Sequence, residues 1–122
     1  MKLKTHIMFQ EGQAREAAEF YSSLTDDAEL ISLTNADGVV KAEVRLAGHE
    51  LVIIDSPVQH EFEMTPAVSL FLETDTASEV DALFSNLSAD GQVMMTVGTY
   101  PFAERFGWCI DRFGVSWQVC FS

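Results

Sequence analysis

The chain has 122 residues, 48% of them hydrophobic and 11% aromatic, and carries 19 acids against 7 bases for a formal charge of −12. That length suits one domain, and the apolar share is enough for a core without metals or disulfides to hold it together. The acidic surface repels phosphate backbones and no Lys or Arg cluster offsets it, so nucleic acid and other polyanions are poor partners and the charge reads as solubility.

No stretch approaches the ~18–20 apolar residues of a membrane span. Met1-Lys2-Leu3-Lys4-Thr5-His6 leads into neither an apolar run nor a small-residue cleavage site. A soluble, cytoplasmic protein with no membrane partner is the expectation. Leu3 to Phe9 reads as a strand, and a helix follows from about Gln13 to Leu24. Ala14, Ala17, Ala18, Tyr21 and Leu24 recur there at the spacing of one helical face. Glu29 to Thr34 and Val39 to Leu46 pair about the turn Asn35-Ala36-Asp37-Gly38, and Glu50 to Asp55 is a short apolar fourth strand.

Residues 57–65 form a polar joint between module one (1–56) and module two (66–122) of a single domain. After it the order of elements starts again. Ala67 to Glu73 is a strand, and Thr76-Ala77-Ser78-Glu79 has the spacing of a capping box. The helix it opens carries Val80, Leu83, Phe84 and Leu87 on one face and ends near Asp90-Gly91. Gln92 to Val97 is a strand, the aromatic stretch Tyr100-Pro101-Phe102 is a loop, and Phe106 to Asp111 with Val115 to Phe121 closes the chain as a hairpin. Across that hairpin Cys109 faces Trp117 while Cys120 points to the other side, so both thiols are expected free.

The order βαβββ, joint, βαβββ is a repeat of about 55 residues in elements rather than in residue identity. Each module leaves one sheet face bare once its helix has covered the other. Two modules side by side would curl into a half-open β-barrel with a concave cavity, an α+β architecture. A pair of ferredoxin-like units would need a second helix in each half, and neither has room for one.

His6-Ile7-Met8-Phe9 followed by Ala17-Ala18-Glu19-Phe20-Tyr21 resembles the opening strand and helix of the vicinal oxygen chelate superfamily, the glyoxalase, bleomycin-resistance and dioxygenase group. Ser69-Leu70-Phe71-Leu72-Glu73-Thr74-Asp75 echoes it in the second half. The segment from Lys41 to Leu51 and the ending Asp111-Arg112-Phe113-Gly114-Val115-Ser116-Trp117-Gln118 are similar to the PhnB-like branch, often labelled demethylubiquinone methyltransferase-like. The residues lend that label no support. Glycines 12, 38, 48, 91, 98, 107 and 114 stand singly, with no Gly-rich loop opening a helix for a methyl donor.

The resemblance implies a divalent metal held from the first, fourth, fifth and eighth strands. His6 falls on the first of these positions, where it is either a ligand or a satisfied polar residue. The fifth-strand position falls on Val68 and the eighth on Gln118, and the fourth lies within Leu51-Val52-Ile53-Ile54 with Glu50 and Asp55 at its ends. One His and one amide fall short of the three or four donors of a stable site, so neither metal nor other cofactor is expected. His49 and His60 read as loop residues, and Cys109 as packing.

The resemblance therefore implies a small-molecule-binding or vestigial member without the usual metal, on the pattern of the bleomycin-resistance proteins. Its cavity would be lined by His6, Met8, Val68, Leu70, Trp108 and Gln118. The alternative is a metal-dependent lyase, isomerase or dioxygenase using His6 with Glu43 or a residue of a second chain. A purely structural module is the third class. A homodimer is expected, joined through Leu51-Val52-Ile53-Ile54 and Tyr100-Pro101-Phe102.

Overall fold

Strand, helix and three further strands follow one another twice in the computed structural model, which describes residues 1–122. The architecture is α+β, two βαβββ units, each with its own four-stranded sheet. The first compact unit is Met1–Phe62 and the second Glu63–Ser122.

In the first unit β1 (Thr5–Phe9) leads to α1 (Ala14–Tyr21), β2 (Glu29–Ala36), β3 (Val39–Leu46) and β4 (His49–Asp55). The strands lie in the order β1-β4-β3-β2, with β1 parallel to β4 and the other pairs antiparallel. Ile7, Phe9, Ala42, Val44, Leu51 and Ile53 alternate onto one buried face. α1 covers that face through Tyr21 and through Ala14, Ala17 and Ala18, whose small side chains let it lie close. Gln13 supplies no side-chain cap, and the buried Asp55 carboxylate does so instead, accepting from the Ala14 N–H at 2.9 Å.

Both hairpins of this sheet turn through residues of positive φ, Asp37-Gly38 and Ala47-Gly48. Such turns match the twist of the flanking strands. Ala47 does so without the freedom of glycine, at φ 51°. β4 is an interior strand of the sheet with Leu51 and Ile53 buried. Leu51-Val52-Ile53-Ile54 is therefore no edge, contrary to its expected place as a pairing surface. The run owes its apolar composition to flanking strands on both sides, β1 and β3.

The second unit runs β5 (Leu70–Glu73), α2 (Ala77–Ser88), β6 (Gln92–Tyr100), β7 (Ala103–Ile110) and β8 (Ser116–Phe121), with strand order β5-β8-β7-β6. The capping box is present: the Glu79 N–H donates to Thr76 Oγ1 at 3.2 Å and the Asp75 N–H to Glu79 Oε1 at 3.2 Å. α2 buries Val80, Leu83, Phe84 and Leu87. Phe84 sits directly on Gly107, where a Cβ would come within 2.6 Å of the ring. Cys109, Trp117 and Val119 are fully buried beside it.

The closing hairpin has the expected register, with Cys109 opposite Trp117 and Phe106 opposite Cys120. Asp111, 3% exposed, organises its turn. One carboxylate oxygen accepts from the N–H groups of Phe113 (2.9 Å) and Val115 (3.0 Å), the other from Trp117 Nε1 at 2.8 Å. Both cysteines are free thiols. Tyr100 ends β6, and Pro101-Phe102 is the short turn to β7 rather than a separate loop. No helix is long and apolar enough to cross a membrane.

Candidate ligand-binding site

α2 covers one face of the second sheet, and the register decides what the other face carries. Two rows cross it from β5 to β6. In one, Phe71 lies beside Gln118, Gln118 beside Trp108, and Trp108 beside Met95. In the other, Glu73 lies beside Cys120, Cys120 beside Phe106, and Phe106 beside Gly98. Ala103, Phe106 and Cys120 form a buried apolar cluster here, with Met95, Tyr100 and Trp108 packed against it.

The rings of Tyr100, Phe102 and Phe106 pack on one another with centroids 5.0–5.7 Å apart. Above this floor opens a cavity of about 500 Å³, bordered by Phe71, Phe102 and Met95 and by the polar groups of Glu73, Gln118 and Ser122. Its size and mixture of rings with a few polar groups suit a small organic molecule.

Hydrogen bonds fix the polar side chains. Trp108 Nε1 donates to Ser116 Oγ at 2.9 Å, Ser116 and Ser69 share a hydroxyl contact of 2.6 Å, and Gln118 Nε2 donates to Ser69 Oγ at 3.3 Å. Ser116 is 4% exposed, so the relay is held in the sheet and orients the indole and the amide at the cavity floor. Of the two thiols, Cys120 borders the cavity. Cys109 lies under α2, where burial, helped by the Asp111 charge, pushes its pKa up to about 12.

Trp108 and Gln118 thus stand side by side at the cavity, as the hairpin predicts. Val68 and Leu70 do not join them. Val68 precedes β5 and is 79% exposed, and Leu70 lies opposite Trp117 on the side facing α2. Phe71 and Glu73 take their place. The run Leu70-Phe71-Leu72 is apolar on both faces, so alternation gives it no phase. Only the pairing with β8, whose Trp117 is tied to Asp111, sets it.

His6 and Met8 belong to the first unit, on the face of its sheet that α1 leaves bare. His6 is exposed and pairs with Val52; Met8 is half-buried and pairs with Ile54. Glu43 lies on the far side of Val52, two strands and roughly 10 Å from His6 in Cα position. Its carboxylate meets Lys4 Nζ at 3.3 Å. Arg45 bridges Glu29 at 2.7 Å and Glu50 at 3.8 Å, and Lys2 also pairs with Glu50. The hydrogen bond from Lys2 holds the Glu50 carboxyl below its ordinary value, assisted by the charges of Lys2, Lys4 and Arg45 and opposed by burial.

His49 Nε2 contacts Thr5 Oγ1 at 2.8 Å, and His60 Nε2 contacts Ser56 Oγ at 3.1 Å while its ring stacks on Phe62. The residues do not fit the divalent ion that the superfamily resemblance implies. No three His, Cys, Asp or Glu side chains converge on one point. Val68 has no donor, and Gln118 offers a neutral amide already engaged with Ser69.

Comparison with known structures places the fold. A glyoxylase/bleomycin resistance protein/dioxygenase domain from Frankia sp. EAN1pec superposes with a TM-score of 0.74 over 98% of this chain and 89% of that one, at 12% identity. At that identity the likeness speaks for fold alone, and it is the fold of the vicinal oxygen chelate superfamily.

A family model described as 3-demethylubiquinone-9 3-methyltransferase matches residues 1–120. A solved structure described as a putative 3-demethylubiquinone-9 3-methyltransferase, PhnB protein, from Bacillus cereus is 42% identical over the whole of both chains, with a TM-score of 0.93. The chain belongs to this PhnB-like family. Protein YjdN of Escherichia coli (strain K12) is 28% identical over 81 residues, which are 66% of this chain and 54% of that protein. The match spans about half the length of that curated relative.

Proposed function

We propose that this chain binds a small organic molecule on the uncovered face of its second sheet, without the superfamily's usual metal. The observation that carries the reading is the cavity itself, floored by Trp108 and Gln118 that the Ser69–Ser116 relay holds in place. Fixed polar groups among aromatic rings are what a recognition site requires.

The methyl transfer named in the family description finds less support. Both helix N-termini are already filled by side chains, α1 by Asp55 and α2 by Thr76. The glycines of positive φ lie apart, at 12, 38, 48 and 114, and build no donor loop. A metal-dependent lyase, isomerase or dioxygenase would join His6 either to Glu43, which already meets Lys4, or to a residue of a second chain. Elemental analysis of protein purified without chelators separates the two readings. Near-stoichiometric zinc, nickel, iron or manganese, lost on His6→Ala, supports the enzyme.

Titration with Nile red tests the cavity. Saturable binding is expected, weakened about tenfold by Trp108→Ala, since truncating an aromatic anchor costs roughly 1–2 kcal/mol. Binding unaffected by Trp108→Ala would remove the cavity from the account. The same reading takes the protein as a cytoplasmic homodimer. Free thiols suit a reducing compartment. The β6 edge with Val93 and Met94, and the neighbouring Phe102, expose apolar surface fit for pairing. Sedimentation at low micromolar concentration in moderate salt, with a single 13.5 kDa species, would exclude the dimer.

A further inference from the structure

We propose that the second-unit cavity selects organic cations, molecules pairing a flat apolar body with a protonated amine, over neutral or anionic molecules of the same shape. This rests on the ligand-binding reading above and adds the charge class. Glu73 carries the inference. Its carboxylate borders the cavity on β5, next to Cys120. The carboxylates of Glu29, Glu43, Glu50 and Asp81 all meet a Lys or Arg, whereas the carboxylate of Glu73 has neither an ion pair nor a hydrogen bond. No Lys or Arg borders the cavity to neutralise it.

The hydrogen-bonding inventory points the same way. The donors at the floor are largely spent inside the protein, Trp108 Nε1 on Ser116 and one N–H of Gln118 Nε2 on Ser69. What remains for a ligand is the second N–H and the Oε1 of Gln118, the Ser122 hydroxyl and the two oxygens of Glu73, a set in which acceptors outnumber donors. A ligand rich in acceptors would leave these oxygens unmatched, while an ammonium supplies three donors and the compensating charge. The rings add a third contribution. Phe71 and Phe102 are 53% and 61% exposed, and the negative face of an aromatic ring attracts a cation within about 6 Å of its centre.

The net charge of −12 attracts cations everywhere on the surface, so the test must separate it from Glu73. At about 0.15 M salt, fields beyond roughly 8 Å are screened while a contact pair is not. Calorimetric titrations would use three probes of one shape, 2-naphthylmethylammonium, 2-naphthylmethanol and 2-naphthylacetate, against wild type and Glu73→Gln. The ammonium should bind wild type about three- to fivefold more tightly than the alcohol, as for a partly exposed ion pair, and the acetate most weakly. Glu73→Gln should erase the preference for the ammonium over the alcohol. Equal affinity for ammonium and alcohol in wild type, or a preference that survives Glu73→Gln, overturns the charge inference and leaves the cavity standing. If none of the three binds, or Trp108→Ala leaves the alcohol's affinity unchanged, the cavity reading fails and this inference with it.

Discussion

The bare face of the first sheet carries ion pairs, whereas that of the second carries aromatic rings and an unpaired carboxylate. On one, Lys2, Lys4 and Arg45 hold Glu29, Glu43 and Glu50. On the other, Phe71, Phe106 and Trp108 stand beside Glu73 and Gln118. Strand order and helix placement are the same in both units. A repeated fold thus need not repeat a site: apolar residues under the helices fix the architecture, and the opposite faces are free to differ.

The largest expected effect sharpens the difference in how the two sheets are anchored. Asp111 is a buried carboxylate gathering two backbone N–H groups and the Trp117 indole, and no corresponding group supports the Ala47-Gly48 turn. Asp111→Ala should cost about 3–4 kcal/mol by leaving those buried donors unmatched. Urea unfolding measures it, and a cost below about 1 kcal/mol would mean that water replaces the carboxylate.

The ion pairs of the first sheet give a smaller, pH-dependent effect. The folded-state pKa of Glu50 is depressed, so its contribution to stability is present above its ordinary value near 4.5 and is lost as pH falls through the lower folded value. Glu50→Gln should therefore be less stable than wild type at pH 7, and thermal unfolding should show the gap closing below about pH 4.5. Added salt should narrow it as well, because Lys2 is 63% exposed.

The smallest effect concerns backbone alone. Ala47 holds φ 51° between two strands of the first sheet. Ala47→Asn should raise stability by about 0.5–1 kcal/mol, since asparagine tolerates the left-handed region better. Calorimetric unfolding that shows no gain would place the turn in a conformation that alanine already accepts.

Much of this fold is legible in residue types. The spacing of Ala14, Ala17, Ala18 and Tyr21 gives α1, Thr76 with Glu79 gives the start of α2, and Asp111 to Gly114 gives the closing hairpin and its register. Trp108 and Gln118 follow because an antiparallel hairpin with a tight turn fixes which residues share a face. Glu73 and Phe71 do not follow. β5 is parallel to β8 and distant from it in sequence, so no turn sets its phase, and its apolar residues alternate with one another. The central position of β4 is hidden for the same reason, since its parallel partner β1 lies across the whole unit.

The most direct test of the central claim uses the two tryptophans, which lie on opposite faces of one sheet. Trp108 stands at the cavity and Trp117 is buried under α2 with its N–H on Asp111. Two indole N–H signals should appear in a proton–nitrogen correlation spectrum, assigned by Trp108→Phe. Titration with 2-naphthylmethylammonium should shift the Trp108 signal progressively and leave that of Trp117 in place. An unmoved Trp108 signal, with the changes confined to the face of His6 and Met8, would contradict the account and return the site to the first unit.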